Sequence, residues 1–390
     1  MKVAFVTPWY DARDIRRGSG TFYYMSREIE RQGQEVHYVG PLEIEFPLGT
    51  KLFRYISKRI LQKRYRSYQD PFVGRRIGQA LMQALHGLDY EVLLTNDYAV
   101  AGYARTDRPI VLYTDAIFPR DYAQNVHPWL SKLSAVSVSF CQQVTRRGLR
   151  RADFCCFPTD WAVCEALQYR ELDENRVAVI PFGANVDDPP AEIAAGRNFA
   201  SIKEKQAIDL LFVGKDWSLK GGDVAVDVMH ALREKGMGAT LHVVGAIPPY
   251  PVDSSSIKVY GLLDKTIARH REILDGLYAH CDVMVLPSKA EGYGVAYVEA
   301  AAYGMPSLGY KTTGVQTAVR QDQSGILLDP TKQASDFADV IYGWFREPGE
   351  YDRLVGGARK HYKETANWET AIFALFLEIV QRLPRLGKRL

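Results

Sequence analysis

Glu291-Gly-Tyr-Gly-Val-Ala-Tyr-Val-Glu-Ala-Ala-Ala-Tyr-Gly304 is the stretch on which the reading of this chain turns. Seven residues separate Glu291 from Glu299. The first glutamate opens an EGYG turn, and the second lies in an apolar, alanine-rich run that predicts a helix. Just upstream, Cys281-Asp-Val-Met-Val-Leu-Pro-Ser288 is a short β-branched and apolar run closed by proline, which predicts a buried strand. The unit is therefore strand, glycine turn, helix N-terminus. Such a turn presents unpaired backbone N–H groups at the positive end of a helix dipole, a setting that suits phosphate. Glu291 precedes the helix, and Glu299 lies about two turns inside it by helical geometry. Carboxylates at both ends of a bound molecule ask for hydroxyls, so the pattern points to polyhydroxyl groups flanking a diphosphate, the make-up of a nucleotide sugar.

The glycines at 292, 294 and 304, the following Met305-Pro306 and the preceding strand complete a pattern that resembles the donor-binding signature of retaining glycosyltransferases of family 4, the glycosyl transferases group 1. The plainer reading, two solvated carboxylates beside a core helix, leaves the agreement of strand, turn and helix unexplained. The resemblance implies an α/β fold of the GT-B type: two Rossmann-like parallel-sheet domains facing a cleft, with a C-terminal helix crossing back to the first domain.

Bulk composition agrees with a globular chain. Its 390 residues suit two domains, and 47% hydrophobic with 24% charged residues leaves no case for disorder. A net charge of +3 gives no overall field for nucleic acid, which is not expected as a partner. Five cysteines, with no CxxC or Cys/His metal spacing, argue against a disulfide framework or a metal site. Buried free thiols at Cys155 and Cys156 and a cytoplasmic setting are expected. No apolar run approaches the roughly 18 residues of a membrane span. Pro8 and the polar residues after it make the N-terminus read as a strand rather than a signal segment.

Short strand-like runs alternate with helical ones along most of the chain. In the first half they are Val3–Thr7, Glu35–Val39, Val92–Thr95, Ile110–Tyr113, Phe154–Phe157 and Val177–Ile180, with helices such as Thr21–Gln32 and Gly74–Leu85 between them. Strands follow at Asp209–Val213, Thr240–Val244, Ile257–Tyr260 and Val283–Leu286, with helices near Gly222–Glu234, Thr266–Ala279 and Val295–Tyr303. This alternation predicts parallel βαβ units in doubly wound sheets. Pro181–Pro190 clusters Pro, Gly, Asn and Asp and reads as the boundary. By resemblance, Ile180-Pro181-Phe182-Gly183-Ala184 is the interdomain hinge. The expected domains are residues 1–183, an acceptor domain joined by a C-terminal helix at about 368–390, and residues 184–367, a donor domain.

Other residues carry candidate chemistry. Gly214 ends a strand, and Lys215-Asp-Trp-Ser-Leu-Lys220-Gly-Gly222 follows, placing two cations and a Gly-Gly helix entrance where a leaving pyrophosphate can be clamped. The family more often has Arg than Lys at the position of Lys215, which removes a bidentate contact. Gly18-Ser19-Gly20, after the first strand, lets backbone approach a ligand at the carboxyl edge of a sheet, though it is a poor dinucleotide fingerprint. Asp115 ends the Ile110–Tyr113 strand where many relatives have His. It either accepts a hydrogen bond from the acceptor hydroxyl, or steadies positive charge at the anomeric carbon, or caps the next turn. Gly261 and Leu262 match the family position beside the base, and Gly314 and Val315 lie near where relatives read the donor.

Lys51–Arg66 carries seven basic residues and no acidic one, with Leu, Phe, Ile and Tyr interleaved. A basic amphipathic helix on an anionic membrane, a solvated helix and a groove for an anionic acceptor are all consistent with it.

The resemblance implies a retaining hexosyltransferase that uses a nucleotide sugar, UDP-linked such as UDP-glucose, and a carbohydrate or lipid-linked acceptor in polysaccharide or glycolipid synthesis. It implies no metal and no cofactor. Glu299 is expected on the ribose and Glu291 on the donor sugar, with Gly292 and the backbone amides of Tyr293, Gly294 and Val295 at sugar and phosphate. Lys215 and Lys220 are expected at the departing diphosphate. Asp115, Lys215, Lys220 and Glu291 are the expected catalytic set. A nucleotide-sugar epimerase of the same architecture and a non-catalytic nucleotide-binding scaffold are the alternatives.

Overall fold

A computed structural model describes residues 1–120, 130–187, 189 and 196–383. The chain divides into two units, Met1–Ile180 with Ala371–Leu390, and Pro181–Thr370. Of the expected linker, Asp188 and Pro190 lie outside the described residues, as does the tail at 384–390.

Among the described residues each unit is built on a six-stranded sheet whose pairings are all parallel. The first comprises β1 (Lys2–Val6), β2 (Glu35–Val39), β3 (Val92–Thr95), β4 (Ile110–Tyr113), β5 (Phe154–Phe157) and β6 (Val177–Val179). Their order across the sheet is β2-β1-β3-β4-β5-β6. All residues of β3, β4 and β5 are buried, because helices cover both faces of a parallel sheet. Cys155 and Cys156 lie in this interior as free thiols, and burial pushes the Cys155 thiol up to about 12.

The second sheet comprises β7 (Ala207–Gly214), β8 (Gly238–Gly245), β9 (Ile257–Gly261), β10 (Val283–Leu286), β11 (Ser307–Tyr310) and β12 (Gly325–Leu328), ordered β12-β11-β10-β7-β8-β9. The sequence reading lacks β11 and β12. Each is four residues long and carries a glycine, which weakens any strand pattern. Those glycines mark close approaches: a Cβ on Gly309 would stand 2.4 Å from the Tyr297 hydroxyl, and one on Gly325 2.1 Å from the Ser307 carbonyl.

The basic run at 51–66 is helical only in its first part. The helix spans Leu48–Arg59, the backbone turns left-handed at Gln62, and Arg64 bridges to Leu133 as extended chain. The last helix, Trp368–Arg382, joins the first unit from Ala371 onward, and the Arg382 guanidinium lies over the Phe154 ring at 5.2 Å. No helix among the described residues is long and apolar enough to cross a membrane.

Candidate functional site

In the second sheet the chain leaves β7 for β8 and later lays β10 on the other side of β7. The crevice outside the carboxyl ends of two such strands is where open parallel sheets bind ligands. Two loops furnish it. Lys215–Gly222 leaves β7, and Ser288–Gly294 leaves β10.

Both loops are held by glycines that no other residue replaces without strain. Gly221 has φ 77° and passes so close to Pro287 that a Cβ would stand 2.2 Å from the Pro287 carbonyl oxygen. Gly294 caps the Val295–Ala302 helix at φ 94°, and a Cβ there would meet the Tyr297 ring at 2.7 Å. The Lys289 N–H donates to the Leu219 carbonyl at 2.9 Å and ties the two loops together.

Lys220 and Glu291 meet in this crevice. The Lys220 ammonium stands 2.5 Å from Glu291 Oε1, and the Ser288 hydroxyl donates to the same oxygen at 2.8 Å. The Glu291 side chain is only 8% exposed against 22% for Lys220, so the ammonium is the wetter partner. The Lys220 stem crosses over Gly214, where a Cβ would meet its Cγ at 2.7 Å. Thr313 fixes the Glu291 backbone, its hydroxyl accepting from the N–H at 2.9 Å and donating to the carbonyl at 2.6 Å. Gly314 also donates to the Glu291 carbonyl, at 3.2 Å. Lys215 is exposed at the start of its loop.

Glu299 lies deeper on the same helix, and Lys265 and Tyr278 hold it. Lys265 Nζ is 2.9 Å from Oε1, and the Tyr278 hydroxyl donates to Oε2 at 2.6 Å. Burial, reinforced by the carboxylate beside it, pushes the Tyr278 hydroxyl far up, so it remains a donor. Tyr293 is also buried, and its hydroxyl donates to the Phe182 carbonyl at 2.8 Å. The Gly294 carbonyl accepts the Tyr297 N–H at 3.0 Å, while the Val295 and Ala296 N–H groups precede any helical carbonyl they could bond, the condition that suits an anion. Gly292 sits between Glu291 and Tyr293 in the turn, half-buried. Gly261 ends β9 with φ 64°, and Leu262 beyond it is 62% exposed.

In the first sheet the order reverses between β1 and β3. There the Asn96 side-chain amide donates to the Tyr10 hydroxyl at 3.1 Å. Asp97 is half-buried and accepts from the Ala99 and Val100 N–H groups and from Trp9 Nε1. Burial raises the Tyr10 hydroxyl, as do the charges of Asp97 and Asp115, while the Asn96 hydrogen bond and Arg17 lower it. Half-buried Asp115 and the glycine loop are thus brought to one end of this sheet around Tyr10. In that loop Gly18, Ser19 and Gly20 all have positive φ, at 53°, 57° and 88°.

Ser288, Thr313, Lys265 and Tyr278 are site residues that the sequence reading did not name as such; nor did it name Tyr10, Asn96 and Asp97. Position offers one signal: Ser288 follows β10, and Tyr10 and Asn96 follow β1 and β3, all at carboxyl ends where ligands gather. Lys265 and Tyr278 give no such signal, since only packing brings them to Glu299.

The family model described as glycosyl transferases group 1 matches residues 197–361, which include both loops and both glutamates. The chain carries a glycosyl transferases group 1 domain. Its curated relatives include the D-inositol 3-phosphate glycosyltransferase of Geodermatophilus obscurus, 29% identical over 219 residues, covering 52% of this chain and 47% of that protein. The enzyme of the same name from Thermomonospora curvata is 30% identical over 182 residues, covering 43% and 41%. The chain spans about half the length of the curated relatives it matches. Sucrose-phosphate synthase from Thermosynechococcus elongatus superimposes with a TM-score of 0.70 at 16% identity, over 99% of this chain and 100% of that one. Anabaena HepE in complex with UDP-glucose gives 0.59 at 16% identity over the whole of both chains. The fold of the chain is therefore GT-B.

Proposed function

We propose that the chain transfers a hexosyl group from UDP-glucose, or a UDP-sugar close to it, to an acceptor hydroxyl with retention of anomeric configuration. The observation that carries this reading is the β10–turn–helix segment at the sheet reversal, with Glu291 paired to Lys220 and Glu299 buried inside the helix. A diphosphate over the helix start would place hydroxylated groups toward the two carboxylates. HepE, of the same fold, was captured with UDP-glucose, and curated relatives are named for transfer to D-inositol 3-phosphate.

In this reading Glu299 accepts from the ribose and Glu291 from the donor sugar. Gly292 leaves room in the turn, and the amides of Tyr293, Gly294 and Val295 face sugar and phosphate. Gly214, Gly261 and Leu262 line the nucleotide, and Gly18, Ser19 and Gly20 offer backbone donors. As the sugar–phosphate bond breaks, negative charge grows on the leaving diphosphate, and Lys215 and Lys220 offset it without a metal. The Glu291 pairing holds the Lys220 ammonium in place beforehand, so little reorganisation is needed at that moment. Asp115 accepts the hydrogen bond of the acceptor hydroxyl or steadies positive charge at the anomeric carbon.

A lipid-linked acceptor, in polysaccharide or glycolipid assembly at the cytoplasmic face of a membrane, is favoured by one surface. Leu48, Leu52, Tyr55, Ile60 and Leu61 are all at least half exposed along or just beyond the Leu48–Arg59 helix, among Lys51, Arg54, Lys58 and Arg59. Apolar side chains beside cations suit an anionic lipid surface.

Calorimetric titration with UDP and UDP-glucose, in chelator, tests the donor reading. Binding that survives chelation and collapses in Glu299→Ala supports it. An intact protein that binds neither nucleotide sinks it and leaves the scaffold alternative. A UDP-sugar isomer formed without acceptor would favour the epimerase.

A further inference from the structure

Glu299 is gripped by two protein donors, one on each oxygen. Lys265 takes Oε1 at 2.9 Å and Tyr278 takes Oε2 at 2.6 Å. A carboxylate has about four acceptor positions, so roughly one remains on each oxygen, the number a vicinal diol requires. Lys265 also reaches further. Its ammonium donates to the Asn185 backbone carbonyl at 2.7 Å.

Asn185 is wholly buried and is itself fixed, because Trp368 Nε1 donates to its Oδ1 at 3.0 Å. Around it, the Ala184 N–H donates to the Ala366 carbonyl at 3.0 Å, and Tyr293 holds the Phe182 carbonyl. Lys265 therefore stands on a rigid carbonyl, with its side chain only 17% exposed. The terminal torsion of a glutamate is otherwise broad. One donor on one oxygen would leave the carboxylate plane free to rock, whereas donors on both fix it.

We propose that Lys265 is a positioning residue that sets the plane of the Glu299 carboxylate so that its remaining acceptor positions take both ribose hydroxyls, and that it thereby makes the site discriminate ribose from 2-deoxyribose. The proposal rests on Glu299 being the ribose-binding carboxylate. Without the ammonium, a carboxylate at 6% exposure loses its counter-ion and the donor on Oε1, and Tyr278 alone is left to hold its plane.

The test is the ratio of Kd values for UDP and 2′-deoxy-UDP, measured by calorimetry in the wild type, Lys265→Met and Lys265→Arg. A hydroxyl bonded to a charged acceptor should make the wild type prefer UDP by about 10- to 100-fold. Lys265→Met should bring the ratio within about threefold, and Lys265→Arg, which keeps the cation, should restore most of it. A ratio of two Kd values does not depend on how much of a weakened variant is folded, so a merely structural lysine would leave it unchanged. An unchanged ratio in Lys265→Met overturns the proposal. So does a wild type that binds both nucleotides equally, which needs no variant to fold. A wild type that binds UDP but not through Glu299, with Glu299→Ala retaining full affinity, removes the donor reading itself and is separable from either result.

Discussion

In the first unit the strand order reverses between β1 and β3, and there an amide of Asn96 meets the hydroxyl of Tyr10 at 3.1 Å. In the second it reverses between β7 and β10, and there the ammonium of Lys220 meets the carboxylate of Glu291 at 2.5 Å. The two sheets place a crevice by the same topological rule. What they put in it differs. The second unit offers exposed and half-buried lysines, two buried carboxylates and a glycine-capped helix start, which together suit a diphosphate with hydroxyls at both ends. The first offers a tyrosine hydroxyl raised by burial and by the charges of two aspartates, with the Trp9, Phe46 and Tyr68 rings in mutual contact. Topology says where a ligand goes; the residue types at that edge decide what it is.

The largest effect that would sharpen this contrast is at Glu291. Glu291→Ala should slow UDP release from UDP-glucose by about 10²- to 10³-fold, since in the proposed reading it removes a charged group at the reacting sugar, and it frees Lys220 from its partner. A loss of less than tenfold in a steady-state assay would remove Glu291 from the catalytic set.

Acid should weaken the second unit through His361. This histidine donates to the Ala318 carbonyl in the interior, and burial, aided by the charge of Arg320, lowers its pKa to about 4. An unfolded chain takes up the proton near pH 6.5, while the folded chain refuses it until about pH 4. Stability is therefore full above pH 6.5 and falls as the pH drops toward 4, by about 3 kcal/mol in all. Denaturant midpoints across that window should flatten in His361→Gln. A constant offset with an unchanged slope would mean the residue matters for packing alone.

Glycine geometry gives the next effect. Gly221→Ala forces both a left-handed alanine and a clash with the Pro287 carbonyl, and should cost about 2 kcal/mol or more, together with UDP affinity. Gly33→Ala has a similar φ of 79° but open space around the new Cβ, and should cost only about 1 kcal/mol with UDP affinity intact. Equal outcomes in thermal melts and calorimetry would show that the approach to Pro287 is not what selects glycine.

The smallest expected effect is at the other crevice. Tyr10→Phe should leave UDP affinity within about fivefold of wild type, because one exchanged hydrogen bond is worth about 1 kcal/mol and Tyr10 belongs to the unit that the reading gives to the acceptor. A large loss of UDP affinity would break the division of labour between the units.

The strands were legible where they are continuous and buried, as at Phe154–Phe157 and Val283–Leu286, because a strand covered on both faces needs apolar side chains at every position. β11 and β12 escaped notice because Gly309 and Gly325 trade strand preference for close packing, a choice made by Tyr297 and Ser307 from elsewhere in the chain. How much of the basic run at 51–66 is helical was not legible, because its charge continues past Arg59 while its partner at Leu133 is invisible to any local window.

By itself the sequence determined the alternation of strands and helices, the glycine turn at 292–294 and the pairing of two glutamates with a helix start. Backbone preferences and apolar periodicity act over a few residues, and these features are all that local. The tertiary structure alone decided which lysine serves which glutamate: Lys220 goes to Glu291 across 71 residues and Lys265 to Glu299 across 34. It also decided that Asn185 anchors the second pair. Such partnerships depend on where loops return after crossing a sheet, and desolvation makes them specific, because a buried carboxylate must find a cation or a donor within reach.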